Sequence, residues 1–261
     1  MKYQMYYEMM EQPEALRRTF ASELDNMANI SKLAESVDTI YLIGCGSSIS
    51  TCYSIRDALA SVSDLRIEVF TGYEFVYNKK LTEGENSLFI ATSQSGETAD
   101  TLACLRKVKE DGIDTLSIVN VVGSSIARES KYVLYIKAGC EIAVATTKAY
   151  LAQITVFSIL TMYLTKNISK DLLDEIRSLP NLLESVIEID YKDIAKQIYK
   201  NNNVFFLGRG IDYAICMEGS LKLKEISYIN CVAYQAGELK HGTISLIEKD
   251  TPVIAISTDD A

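Results

Sequence analysis

Ser87-Leu88-Phe89-Ile90-Ala91-Thr92-Ser93-Gln94-Ser95-Gly96-Glu97-Thr98 decides the fold. Its first half is a continuous apolar run too short for a helix, which reads as a strand buried on both faces. Its second half is rich in hydroxyls around one glycine, and it opens a helical stretch from Glu97 to Glu110. A strand that turns on glycine directly into a helix is half of a βαβ unit.

The same alternation extends in both directions. Upstream, Thr39-Ile40-Tyr41-Leu42-Ile43 ends in Gly44-Cys45-Gly46-Ser47-Ser48 and a helical stretch through Leu59, and Arg66 to Phe70 reads as another strand. Downstream, Thr115 to Val119 and Tyr132 to Ile136 read as strands, and Thr147 to Leu164 as a long apolar helix. The first 30 or so residues are helical by the spacing of Tyr6, Met9, Met10, Leu16, Phe20 and Leu24, with Pro13 marking a boundary or first turn. Leu172 to Tyr199 reads as helical and more charged, a link between two lobes.

A second cycle starts at Asn203-Val204-Phe205-Phe206-Leu207-Gly208-Arg209-Gly210, which parallels Ile40 to Gly46. Val69 to Glu74 likewise parallels Ala233 to Glu238, and Ser87 to Ser93 parallels Pro252 to Thr258. The chain therefore reads as two copies of one α/β unit with mostly parallel sheets. The second copy stops where the first enters its hydroxyl loop, so the natural protein is expected to continue past Ala261.

Composition removes several function classes. The net charge of −9 and the absence of a Lys/Arg cluster argue against nucleic acid as a partner. No apolar run reaches the roughly 20 residues of a membrane span. Nothing at Met1 to Met10 resembles a secretion signal, and a cytoplasmic protein is expected. Six scattered cysteines and a single histidine give no zinc spacing and no disulfide framework. Most of the cysteines read as small core residues. No metal or other cofactor is called for.

Ser93, Ser95 and Thr98 around Gly96, at the carboxyl end of a strand, read as an anion site of backbone N–H groups and short alcohols. The competing reading is a helix cap, which one hydroxyl alone would favour. Gly44 to Ser48 is neither a dinucleotide nor a Walker motif, and a simple turn and a second sugar-contacting loop remain equal readings. Lys222 and Glu225, three apart on a helix, share a face, and a surface ion pair is the plain alternative. His241 lies in the glycine-flanked segment Gly237 to Gly242, where a structural histidine competes with a proton carrier.

GCGSS, SQSGETADTL, SSIARES, EIAVATTKAY, EGSLKLKEISYI and GELKHG together resemble the sugar isomerase (SIS) domain family, in its aminosugar branch, from about Glu11 to the chain end. The resemblance implies two tandem three-layer α/β/α units with parallel, flavodoxin-like sheets. Residues 1–35 would form a helical segment, 36–166 the first SIS domain, 167–200 a helical linker, and 201–261 a second, incomplete SIS domain. It implies phosphate contacts from Ser93, Gln94, Ser95 and Thr98, and sugar contacts from Ser48 and Val144. Thr146 stands where the family has a serine. Glu225 would be the base between C1 and C2, Lys222 its helper, and His241 the ring-opening group, supplied across a homodimer. The family's glutaminase domain and its C-terminal Schiff-base lysine have no counterpart in these residues. The implied activity is aldose–ketose isomerisation of a hexose or aminosugar 6-phosphate through an enediol or enolamine. An aminosugar-phosphate deaminase and a non-catalytic sugar-phosphate sensor are the alternatives.

Overall fold

A computed structural model describes residues 3–32, 37–79 and 86–258. The expected boundary at 35/36 and the chain end at Ala261 lie outside them. Internal contacts divide the chain into two compact units, Met1–Ile187 and Glu188–Ala261.

The first unit opens with α1 (Gln4–Met10) and α2 (Gln12–Ser31), with Pro13 in the first turn of α2, where its missing N–H costs nothing. Then come β1 (Thr39–Gly44), α3 (Ser47–Val62), β2 (Arg66–Thr71), α4 (Gly72–Asn78), β3 (Ser87–Ser93) and α5 (Ala99–Glu110). β4 (Asp114–Val119), α6 (Ser125–Glu129), β5 (Tyr132–Tyr135), α7 (Lys148–Leu164) and α8 (Lys170–Val186) complete it. The five strands pair in parallel in the order β2-β1-β3-β4-β5, the flavodoxin-like order.

Alternate residues of each strand feed two cores. Ile40, Leu42, Leu88, Ile90, Leu116 and Ile118 join residues of α2, α3 and α7 on one face. Tyr41, Ile43, Phe89, Ala91 and Val119 join those of α4, α5 and α6 on the other. This is why β1 and β3 are apolar without alternation: every residue of both is buried. Burial on that scale also silences two thiols, pushing Cys52 and Cys104 up to about 12.

The second unit contains α9 (Lys192–Ile198), β6 (Asn203–Gly208), α10 (Ile211–Ser227), β7 (Asn230–Gln235) and β8 (Val253–Ala255), with short 3-10 turns at Leu239–His241 and Thr243–Leu246. Its strands are parallel, in the order β7-β6-β8, matching β2-β1-β3. The duplication reaches the backbone. Gly46 caps α3 at φ 57°, ψ −129°, and Gly210 caps α10 at φ 55°, ψ −125°, a positive-φ conformation that a side chain rarely adopts.

The helical segment from Leu172 to Tyr199 consists of α8 and α9, with a break between Val186 and Lys192. The segment after β2 is a helix, α4, where the equivalent after β7 is a turn followed by 3-10 helix, so the parallel between Val69–Glu74 and Ala233–Glu238 ends with the strands. Most of the thiols are core residues as expected: Cys52, Cys104, Cys216 and Cys231 are buried, while Cys45 is half-buried and Cys140 exposed. Among the described residues no helix is long and apolar enough to cross a membrane.

Candidate functional site

In a parallel sheet the loops that leave the carboxyl ends of neighbouring strands converge, and three such loops carry the expected ligand contacts of the first unit. The loop after β3 is shaped by its own hydroxyls. Ser93, 2% exposed, accepts the N–H of Gly96 at 3.0 Å, and Ser95 accepts that of Glu97 at 3.2 Å. The hydroxyls of Ser93 and Thr98 share a hydrogen bond at 2.9 Å. Thr98 is the N-cap residue of α5, yet makes no side-chain cap bond, so the cap reading does not describe its hydroxyl. Gly96 has φ +66°, and a Cβ there would lie 2.0 Å from the Ser124 hydroxyl oxygen. Glu97 reaches out to the start of α6, where its carboxylate accepts the Ser125 N–H at 2.7 Å. Hydrogen bonds from the Ser125 side chain and then its N–H hold the Glu97 carboxyl below its ordinary range. Gln94 is half-buried, and its carbonyl accepts the N–H of Asn120 at 3.1 Å.

The loop after β1 presents Ser48, buried in the first turn of α3. The Ser48 hydroxyl accepts from Gln153 Nε2 on α7 at 3.1 Å, while Gln153 Oε1 accepts from Thr51 at 3.2 Å. Cys45 Sγ lies 3.8 Å from the Thr101 hydroxyl, which ties this loop to α5.

The loop after β5, residues 136–147, presents Val144, 84% exposed, and half-buried Thr146. Carboxylates hold its backbone. Glu8 of α1, almost wholly buried, accepts the N–H groups of Ile142 at 2.6 Å and Ala143 at 3.2 Å. Glu141 accepts those of Thr147 at 2.7 Å and Lys148 at 2.9 Å. Lys148 itself is buried and meets Glu11 at 2.5 Å.

In the second unit, α10 brings Lys222 and Glu225 together. Lys222 Nζ stands 2.7 Å from Glu225 and 3.3 Å from Glu218. The side chains retain 15%, 25% and 7% of their exposure, so this is a partly desolvated triad rather than the open surface pair that spacing alone favours. Glu218 was missed in the sequence, although its i,i+4 relation to Lys222 in Glu218-Gly219-Ser220-Leu221-Lys222 was there to be read. Gln153, Glu8 and Asn120 carried no local signal. His241 ends the 3-10 turn Leu239–His241 and is exposed. Ser48, Ser93, Gln94, Ser95, Thr98, Val144 and Thr146 thus belong to one unit, and Lys222, Glu225 and His241 to the other.

Fold and loops together define a doubly wound α/β protein with hydroxyl-lined strand ends and a carboxylate–lysine face. The SIS domain model matches residues 32–163 and 197–261. The glutamine–fructose-6-phosphate aminotransferase (isomerizing) of Clostridium tetani is 41% identical over 98% of this chain and 45% of its own length. The chain thus spans about half the length of the curated relatives it matches. The C-terminal domain of glucosamine-fructose-6-phosphate aminotransferase from Francisella tularensis superposes with a TM-score of 0.87 at 35% identity, covering 100% of this chain and 77% of that one. A glucosamine-6-phosphate deaminase from Thermotoga maritima shares the fold, with a TM-score of 0.81 at 24% identity over 99% of this chain and 78% of its own. The chain belongs to the SIS domain family.

Proposed function

We propose that this chain is a phosphosugar isomerase acting on a hexose or aminosugar 6-phosphate. The observation that carries the proposal is Glu225, a partly buried carboxylate held 2.7 Å from Lys222. The loop 93–98 supplies the anchor: the phosphate dianion would take N–H groups at the start of α5 and hydroxyls of Ser93, Ser95 and Thr98, with Gln94 beside them. Ser48, Val144 and Thr146 would face the sugar.

The chemistry needs no net change in atoms. His241 carries the proton from the O1 hydroxyl to the ring oxygen, which opens the ring to the aldehyde. Glu225 takes the C2 proton to leave an enediolate with its charge on O1, the O2 proton passes to O1, and the same carboxyl returns a proton to C1 to give the ketose. Lys222 steadies the charge on Glu225 and, through its ammonium, the oxygen that gains charge in the enediolate.

The deaminase neighbour suggests one variant, in which the C2 substituent is nitrogen, the enolamine becomes a C2 imine, and water hydrolyses that imine to the ketose and ammonia. Incubation of the chain with glucosamine 6-phosphate in heavy water separates the readings. Deuterium at C1 or C2 without ammonia marks an isomerase, and ammonia release marks a deaminase. Deuterium no higher than with Glu225→Gln leaves a sensor that only binds.

His241 is exposed, which supports its action in a second copy of the chain. An equimolar mixture of Glu225→Gln and His241→Ala would then regain up to a quarter of the activity, from hybrid dimers with one intact site. A mixture as inactive as its parts refutes the shared site. A cytoplasmic setting accords with the free thiols of all six cysteines.

A further inference from the structure

Asn120 follows the last residue of β4 and faces two of the loops just described. Its backbone N–H donates to the Gln94 carbonyl at 3.1 Å, inside the hydroxyl loop. Its side-chain amide turns to the loop after β5. Oδ1 accepts the N–H of Ala138 at 2.9 Å, and Nδ2 donates to the carbonyl of Gly139 at 2.7 Å. A planar amide carries donor and acceptor side by side, so it pairs with a stretch of backbone much as a neighbouring strand would.

That stretch has no regular structure of its own to hold it. Lys137 and Gly139 both have positive φ, 47° and 81°, so the chain turns away from the sheet there. Farther along, the loop is fixed to α1 through Glu8, and its end to the start of α7 through Glu141. The loop's first turn is also held by α2, where Arg18 donates to the carbonyls of Lys137 and Ala138 at 3.3 Å and Thr19 to that of Ile136, and the Ile136 N–H donates to the Val119 carbonyl at 3.0 Å; past Ile136, the Asn120 amide is the side chain that ties this turn to the strand end beside the hydroxyl loop.

We infer that Asn120 is a positioning residue that sets the spacing between the phosphate cradle at 93–98 and the sugar-facing wall at Val144 and Thr146. The inference rests on the reading of 93–98 as a phosphate site. It makes Asn120 a determinant of how long a sugar phosphate the site accepts, without contact to the ligand.

The backbone and side-chain roles of this residue separate cleanly. Asn120→Ala keeps the N–H that bonds Gln94 and loses both bonds to 138–139. Asn120→Asp keeps the acceptor for Ala138 and loses the donor to Gly139. The 261-residue chain and both variants are titrated calorimetrically with inorganic phosphate and with glucosamine 6-phosphate. We expect phosphate affinity within about twofold of wild type in both variants. Affinity for the sugar phosphate should fall about tenfold or more in Asn120→Ala and less in Asn120→Asp, as expected from two lost hydrogen bonds against one. If Asn120→Ala does not fold, as judged by circular dichroism, Asn120→Asp alone decides by the same ratio. Equal weakening of both probes, or weakening of neither, overturns the role of Asn120 and leaves the phosphate site standing. A wild-type chain that binds neither probe overturns both.

Discussion

Gly96 shows how little freedom single positions of the hydroxyl loop have. Its φ of +66° is strained for any L side chain, and the Ser124 oxygen occupies the place a Cβ would take, at 2.0 Å. Ser124 has little room to retreat, being 3% exposed at the start of α6, whose Ile126 N–H is bonded to the Gly96 carbonyl. Gly96→Ala is therefore expected to cost about 2 kcal/mol in urea unfolding, from backbone strain plus overpacking. It should also weaken phosphate binding. A loss below about 0.5 kcal/mol would mean that the loop adapts. The glycine and the three hydroxyls stand together in six residues, so this part of the site was legible in the sequence. Its supports were not. Ser124, Asn120, Gln153 and Glu8 act across 18 to 135 residues of chain, and no local period or spacing marks a partner that distant. Glu218 is the exception, a neighbour on the same helix face as Lys222.

α5 and α6 lie side by side, and their charges make the face they form sensitive to acid. Arg106 of α5 holds Glu129 of α6 by two bonds, at 2.9 and 2.6 Å, and that hydrogen-bonded guanidinium keeps the Glu129 carboxyl below its ordinary range. Glu97 is lowered too, by Ser125. Both carboxyls are charged in the folded and unfolded chain above the ordinary value of 4.5, so their contribution is fully present there. As pH falls below it, the unfolded chain takes up protons first, and stability is lost until the lower folded values are passed. The melting temperature of the first unit should be level from neutral pH to about 5 and decline below that, with a shallower decline in Glu129→Gln. High salt should reduce the difference, because the pair is open to solvent. An unchanged slope in that variant would remove the pair from the account. At this scale strands and long helices followed from period and composition, whereas the break between α8 and α9 did not. α8 has ended at Val186, and Asp190 marks the restart, accepting the N–H of Lys192, the first residue of α9, at 2.9 Å. α4 escaped notice because seven residues span barely two turns, too few for a period to show.

The two units bury very different amounts of apolar surface, although they repeat one plan. The sheet of the first is covered on both faces, and β1 and β3 are buried along their whole length. Among the described residues the core cluster of the second has Val204, Phe206, Cys216 and Cys231 as its buried members, and β8 has two of its three residues exposed. Since burial of apolar surface is the main force that offsets chain entropy, the second unit should open more easily than the first. The matched strands provide a fair comparison, since β1 and β6 hold the central place among β2-β1-β3 and β7-β6-β8. Hydrogen exchange followed by mass spectrometry should find the amides of Val204 to Leu207 exchanging at least tenfold faster than those of Ile40 to Ile43. A heating scan of the same chain should then show the exchange-labile unit melting first, in a transition of its own. Equal protection of both strands and a single transition would mean that the units stabilise each other strongly enough to unfold as one, against the expectation from their separate cores.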